Sequence, residues 1–131
     1  MSDYKKILFE IDGDVAIITM NDTPTMNACG VDTARELTHA FERAAASARA
    51  VIMTGNGRGF CSGANLGNPA MTSTGPDSKA MDAGAALDST YNPLVSQMRD
   101  LPIPLVTAIN GAAAGIGCSF ALLGEDRKSV V

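Results

Sequence analysis

No basic cluster occurs anywhere in this chain of 131 residues; it has one histidine, few aromatics and a formal net charge of -4. That balance argues against nucleic acid as a partner, so any anionic ligand would have to be held by local geometry. No apolar run approaches the roughly eighteen residues that a membrane helix needs, and MSDYKK leads into a charged strand, not a signal-peptide core. A soluble protein with a cytoplasmic home and no membrane partner is therefore expected. The three cysteines, Cys29, Cys61 and Cys118, are odd in number, lack CxxC spacing and have small or apolar neighbours. Buried, reduced thiols are expected in place of a disulfide framework, and no metal site is expected. His39 falls on an amphipathic stretch, where a solvated or half-buried imidazole is the ordinary outcome, and is given no role.

What the chain does have is enough apolar residue, 46%, to build the core of one domain. Ile7, Phe9 and Ile11 alternate into Asp12-Gly13, a hairpin signal, and Val15 to Met20 follows as the partner strand. Val31, Ala34, Leu37, Phe41 and Ala44 recur at helical steps, which predicts a helix to about Ser47. Ala50 to Thr54 and Leu105 to Ile109 are short continuous apolar runs, the pattern of buried parallel strands. Between them, Gly67 to Asp77 is predicted to be a mobile loop and Met81 to Arg99 a helix ended by Pro102 and Pro104. Asn110-Gly111 is predicted as a turn, and Gly115 to Leu123 as an apolar helix.

Two strands thus run into small residues: FCSGANL follows the first, NGAAAGIG the second. Such residues let a ligand approach the main chain closely, and the first amides of a helix are unpaired donors at the positive end of its dipole. One amide from each segment could converge on a single oxygen, which is what an oxyanion hole requires. Tight packing of a helix on a sheet is the competing account of either segment alone.

Arg58-Gly-Phe-Cys-Ser-Gly-Ala-Asn-Leu66 resembles the R-x-F-[CS]-[AS]-G-[AG]-D-L signature of the crotonase superfamily, the enoyl-CoA hydratases and isomerases. Pro104 to Gly117 resembles its P-x-[IV]-A-x-[IV]-N-G-x-[AC]-x-G-x-G partner, with Thr107 at the usual alanine, and the spacing between the two also matches. Thr25-Met-Asn-Ala28 is similar to the family's x-x-N-A stretch, and Tyr91-Asn-Pro-Leu94 to members acting on ring-containing acyl-CoA compounds. The resemblance implies an α/β fold, a crotonase-like spiral of strand-strand-helix repeats, here C-terminally truncated. It implies a coenzyme A thioester as substrate with no tightly bound cofactor, and a homotrimer or hexamer for the full-length family member. Backbone amides of Ala64 and Ile116 are implied as the oxyanion hole, and the main chain around Met26, Ala28, Ser62, Asn65 and Leu66 as the path of the CoA.

The departures from the pattern bear on the reaction. Ser119 stands where hydratases commonly carry their first glutamate, and a serine hydroxyl has the wrong pKa to deliver a proton unaided. An isomerase-like member is therefore expected over a hydratase. Asn65 replaces the aspartate of G-A-D-L, which predicts altered loop hydrogen bonding with the amide donor kept. After Gly124 the family's next strand, its other carboxylate and its C-terminal helices do not follow. Asp126 to Val131 is what GAT CGG AAG AGC GTC GTG encodes, and with a following TAG this matches a common short-read sequencing adapter. The expectation is a partial crotonase-like domain over 1–124 and a non-family tail over 125–131 that is a sequencing artefact, in a chain that as written is inactive.

Three rivals come from other classes. Gly115-Ile-Gly117 begins a dinucleotide fingerprint, but Phe120 stands at its third glycine. Ser62 and Ser119 lack the G-x-S-x-G frame of a hydrolase. The third is a non-catalytic fragment or assembly module that binds acyl-CoA without turning it over. Arg58 is left out of the site, as an exposed loop arginine is ordinarily solvated.

Overall fold

The computed structural model describes residues 4–64 and 91–129. Among the described residues, seven strands and three α-helices follow in order: β1 (Ile7–Asp12), β2 (Val15–Met20), α1 (Val31–Ser47), β3 (Ala50–Gly55), β4 (Gly59–Cys61), α2 (Asn92–Arg99), β5 (Leu105–Ile109), β6 (Ala112–Ala113), α3 (Ile116–Leu123) and β7 (Asp126–Ser129). Among the described elements two strands precede each helix three times over, which is the expected strand-strand-helix repeat. A five-stranded sheet runs β1-β2-β3-β5-β7, and β4 pairs with β6 in a second, two-stranded sheet.

The hairpin forms where Asp12-Gly13 predicted it, antiparallel with Asp12 opposite Val15 and Gly13 at a φ of 62°. β3 and β5 then join β2 in parallel, as their continuous apolar runs implied. Alternation assigns one face to the core: Ile7 and Phe9 on β1, Ile18 and Met20 on β2, Val51 and Met53 on β3, Leu105 and Thr107 on β5 are all buried. Ile11, which continues the β1 alternation in sequence, is 45% exposed on the edge strand, although Ala16 opposite it on β2 is buried.

Helix α1 lays Ala34, Leu37, Phe41 and Ala44 on that face, one stripe at three- and four-residue steps. Leu94 and Met98 of α2 and Phe120 and Ala121 of α3 complete the cluster. From the middle of α1, His39 Nδ1 and the Tyr4 hydroxyl are hydrogen bonded at 2.6 Å, and the Arg43 guanidinium lies 4.5 Å from the centre of the Phe9 ring. His39 thus ties the N-terminal segment to a helix.

Three elements differ from the sequence expectation. β4 and β6 are only three and two residues long, too short for any periodicity to register. Asp126–Ser129, within the stretch read as a non-family tail, pairs its backbone in parallel with β5, Val106 opposite Asp126 and Ile109 opposite Ser129. Main-chain pairing onto an open strand edge needs no apolar alternation, so nothing in those side chains announced it. The predicted loop over 67–77, and the predicted helix up to residue 90, lie outside the described residues.

Among the described residues, no helix is long and apolar enough to cross a membrane. Nor does any group of three or more His, Cys, Asp or Glu side chains there have the arrangement to hold a metal ion.

Candidate active site

The two glycine-rich segments run side by side, with Gly59 opposite Ala112 and Cys61 opposite Ala113. Their approach is closer than any larger residue permits. A β-carbon on Gly111 would stand 2.0 Å from the Arg58 carbonyl oxygen, and one on Gly117 2.1 Å from that of Cys61. The stretch after β5 is therefore small because main chain packs on main chain there. Beyond β4 and β6 the segments meet again at Gly63 and Gly115, where a β-carbon on Gly115 would lie 3.7 Å from Gly63 Cα. Both residues have positive φ, 124° and 57°, values that favour glycine.

Ala64 and Ile116 each follow one of these glycines, and the hydrogen bonds of the glycine carbonyls aim their amides. The Gly63 oxygen accepts the Cys29 N–H at 2.7 Å, and Cys29 and Ala64 form a parallel bridge. Across a trans peptide the C=O and N–H point in opposite directions, so the Ala64 N–H faces away from Cys29. The Gly115 oxygen accepts the N–H groups of Cys118 at 3.0 Å and Ser119 at 3.3 Å inside α3, which leaves the Ile116 N–H directed out of the helix N-terminus. Among the described residues, neither amide donates to a protein acceptor.

The loop behind β4 is held by two asparagines. Asn27, fully buried at a φ of 61°, accepts the Asp22 N–H at 2.7 Å through Oδ1 and donates through Nδ2 to Asn56 O at 3.0 Å and Gly59 O at 2.7 Å. Asn110 accepts the Gly55 N–H at 3.0 Å and donates to Gly57 O at 3.0 Å and Gly59 O at 3.1 Å. The Gly59 carbonyl is thereby bracketed from two sides. Neither asparagine stood among the candidate site residues, although each is the Asn of its own motif, x-x-N-A and N-G, and that placement is the signal that could have found it.

Of the expected CoA-path residues, Met26 is left-handed at a φ of 53° and 36% exposed, and its carbonyl accepts the Ser62 N–H at 3.1 Å. The Ser62 hydroxyl, on an exposed residue, donates to Thr25 O at 2.8 Å. Ala28 is nearly buried, with its N–H donating to the Thr25 hydroxyl at 3.1 Å. Met26, Ala28 and Ser62 therefore share one corner with Ala64; Asn65 and Leu66 lie outside the described residues. Ser119 sits in the first turn of α3 and is exposed.

The cysteines divide. Cys29 and Cys61 are buried, and burial pushes both thiols up, Cys29 well above the ordinary range, with Cys61 and Asp32 adding to the effect on Cys29. Cys118 is exposed, against expectation. Gly117 faces Cys61, and one residue further along a helix turns about 100°, which carries Cys118 to the outside. Thr107, at the motif's usual alanine, is fully buried and donates its hydroxyl to Ala121 O at 3.0 Å, tying β5 to α3.

Comparison with known proteins accords with this geometry. Residues 10–125 match the family described as Enoyl-CoA hydratase/isomerase, and the chain belongs to it. It is 38% identical over 122 residues to a protein of Rhodobacter capsulatus named "Probable enoyl-CoA hydratase", which covers 93% of this chain and 45% of the relative. Against the 1,2-epoxyphenylacetyl-CoA isomerase of Escherichia coli K12 the identity is 34% over 121 residues, 91% of this chain and 45% of the other. The crystal structure of an enoyl-CoA hydratase/isomerase from Xanthobacter autotrophicus Py2 superposes with a TM-score of 0.77 at 29% identity, covering 93% of this chain and 45% of that one. The chain thus spans somewhat less than half the length of these relatives.

Proposed function

We propose that this chain carries the thioester-binding part of an acyl-CoA enzyme, in which the amides of Ala64 and Ile116 hold the thioester oxygen. The observation that carries the reading is the pair of amides, without an acceptor among the described residues, on two segments that touch at Gly63 and Gly115. Removing a proton α to a thioester, or adding water across its conjugated double bond, builds negative charge on that oxygen, and pre-aligned donors stabilise it. The main chain of Met26, Ala28, Ser62, Asn65 and Leu66 then lines the CoA. With Ser119 in place of a glutamate, α-proton chemistry of the isomerase kind is favoured over hydration, and the whole protein acts as a homotrimer or hexamer.

The test is butyryl-CoA in deuterium oxide, with binding followed by calorimetry and α-hydrogen exchange by NMR. Binding with exchange supports the enzyme reading. Binding without exchange supports the alternative of a module that holds acyl-CoA and has no turnover, and absence of binding overturns both. Ile116→Pro sharpens the result: Ile116 is the first residue of α3, where proline is tolerated, yet the substitution deletes the N–H. Loss of one such donor lowers the exchange rate by about 10² to 10³ with the fold intact.

A further inference from the structure

Tyr91 is buried at the start of α2, far from either glycine-rich segment in sequence, and its hydroxyl donates to the Cys29 carbonyl at 2.6 Å. Cys29 is the same residue whose N–H holds the Gly63 oxygen at 2.7 Å. Its two peptide groups are thus clamped at opposite ends, one by the phenol and the other by the peptide that carries the Ala64 N–H. We infer that Tyr91 is a positioning residue for the oxyanion hole, which through Cys29 sets the direction of the Ala64 amide without touching substrate. Burial, and then the neighbouring Cys29, Cys61 and Asp32, push the phenol well above the usual tyrosine range, so it remains a donor at any working pH. A phenylalanine at this position would fill the same space and leave the Cys29 carbonyl without this donor; water has no ready access to a group buried this deeply.

The inference rests on the proposed role of Ala64, and the experiment separates the two. Wild type and Tyr91→Phe are compared by amide NMR without ligand, and by affinity for butyryl-CoA and for free coenzyme A, which has no acyl carbonyl. The stretching frequency of the ¹³C-labelled thioester carbonyl is read in each complex. Expected in Tyr91→Phe are displaced Cys29 and Ala64 amide resonances and about tenfold weaker butyryl-CoA binding. The carbonyl frequency moves back toward its value in water, while coenzyme A affinity is unchanged. A merely structural role would weaken both ligands together and accelerate hydrogen exchange throughout α1.

Wild type that binds butyryl-CoA, with a variant indistinguishable from it in amide shifts and carbonyl frequency, overturns the inference alone. Wild type that binds no thioester overturns the proposed function, and the inference with it. Should Tyr91→Phe fail to fold, 3-fluorotyrosine at Tyr4 and Tyr91 makes the phenol a stronger donor. The carbonyl frequency then shifts further from its value in water, and no shift overturns the inference.

Discussion

Asn27 combines full burial with a φ of 61°, a conformation that asparagine tolerates better than any residue but glycine. Asn27→Ala deletes three hydrogen bonds, leaving the half-buried Asp22 N–H without this acceptor and the buried Gly59 carbonyl with Asn110 as its only side-chain donor among the described residues. We expect a loss of about 3 kcal/mol, read as a lower denaturation midpoint at unchanged slope. The glycines differ among themselves by what surrounds them. Gly117→Ala sets a β-carbon against the Cys61 carbonyl, so α3 must move off β4, at a cost of about 1–3 kcal/mol and with loss of thioester binding. Gly13→Ala meets nothing within 4 Å and costs only its left-handed backbone, about 1 kcal/mol. The thiols sort the same way by surroundings: iodoacetamide at pH 8 modifies Cys118 in the folded protein and spares Cys29 and Cys61 until it is unfolded, as mass spectrometry of the labelled peptides would show.

At the scale of elements, legibility followed length and period. The hairpin, α1, β3, β5 and α3 were readable because five or more residues repeat a pattern of two or of 3.6, or run continuously apolar between glycine and proline signals. β4 and β6 were not, since two or three residues carry no period, and β7 was not, since main-chain pairing with β5 requires no pattern in the sequence. The candidate site was legible as two small-residue segments through the two motifs, and the structure brings them together at Gly63 and Gly115. It was not legible in its supports: Asn27, Asn110 and Tyr91 reach the site through side-chain bonds to carbonyls 29 to 62 residues away, a relation that periodicity does not encode. Thr107 shows the same gap. As a motif residue it is a deviation from alanine, and only the structure reveals its bond to the last turn of α3. Thr107→Val keeps the shape and loses that bond, so a destabilisation of about 1 kcal/mol is expected, with α3 amides exchanging faster than those of α1.

For the whole molecule, the buried acids of one corner decide the response to pH. Cys29, Cys61 and Tyr91 are all raised in the folded state. Below the unfolded thiol value of about 8.5 both states hold these protons, and the stability they confer is undiminished. Above it the unfolded chain releases thiol protons, and from about pH 10 the phenol proton, that the folded chain retains, so stability falls as pH rises, by up to about 1.4 kcal/mol per pH unit for each group. The melting temperature should therefore hold from pH 7 to 8.5 and decline from there to 10.5. Cys29→Ala removes one titrating group and should flatten that decline relative to wild type, even if the small cavity lowers the midpoint at pH 7. A wild-type midpoint that stays level through pH 10.5 would mean that these groups ionise in the folded protein as they do in water, and that the corner holding Ala64 is wet instead of closed.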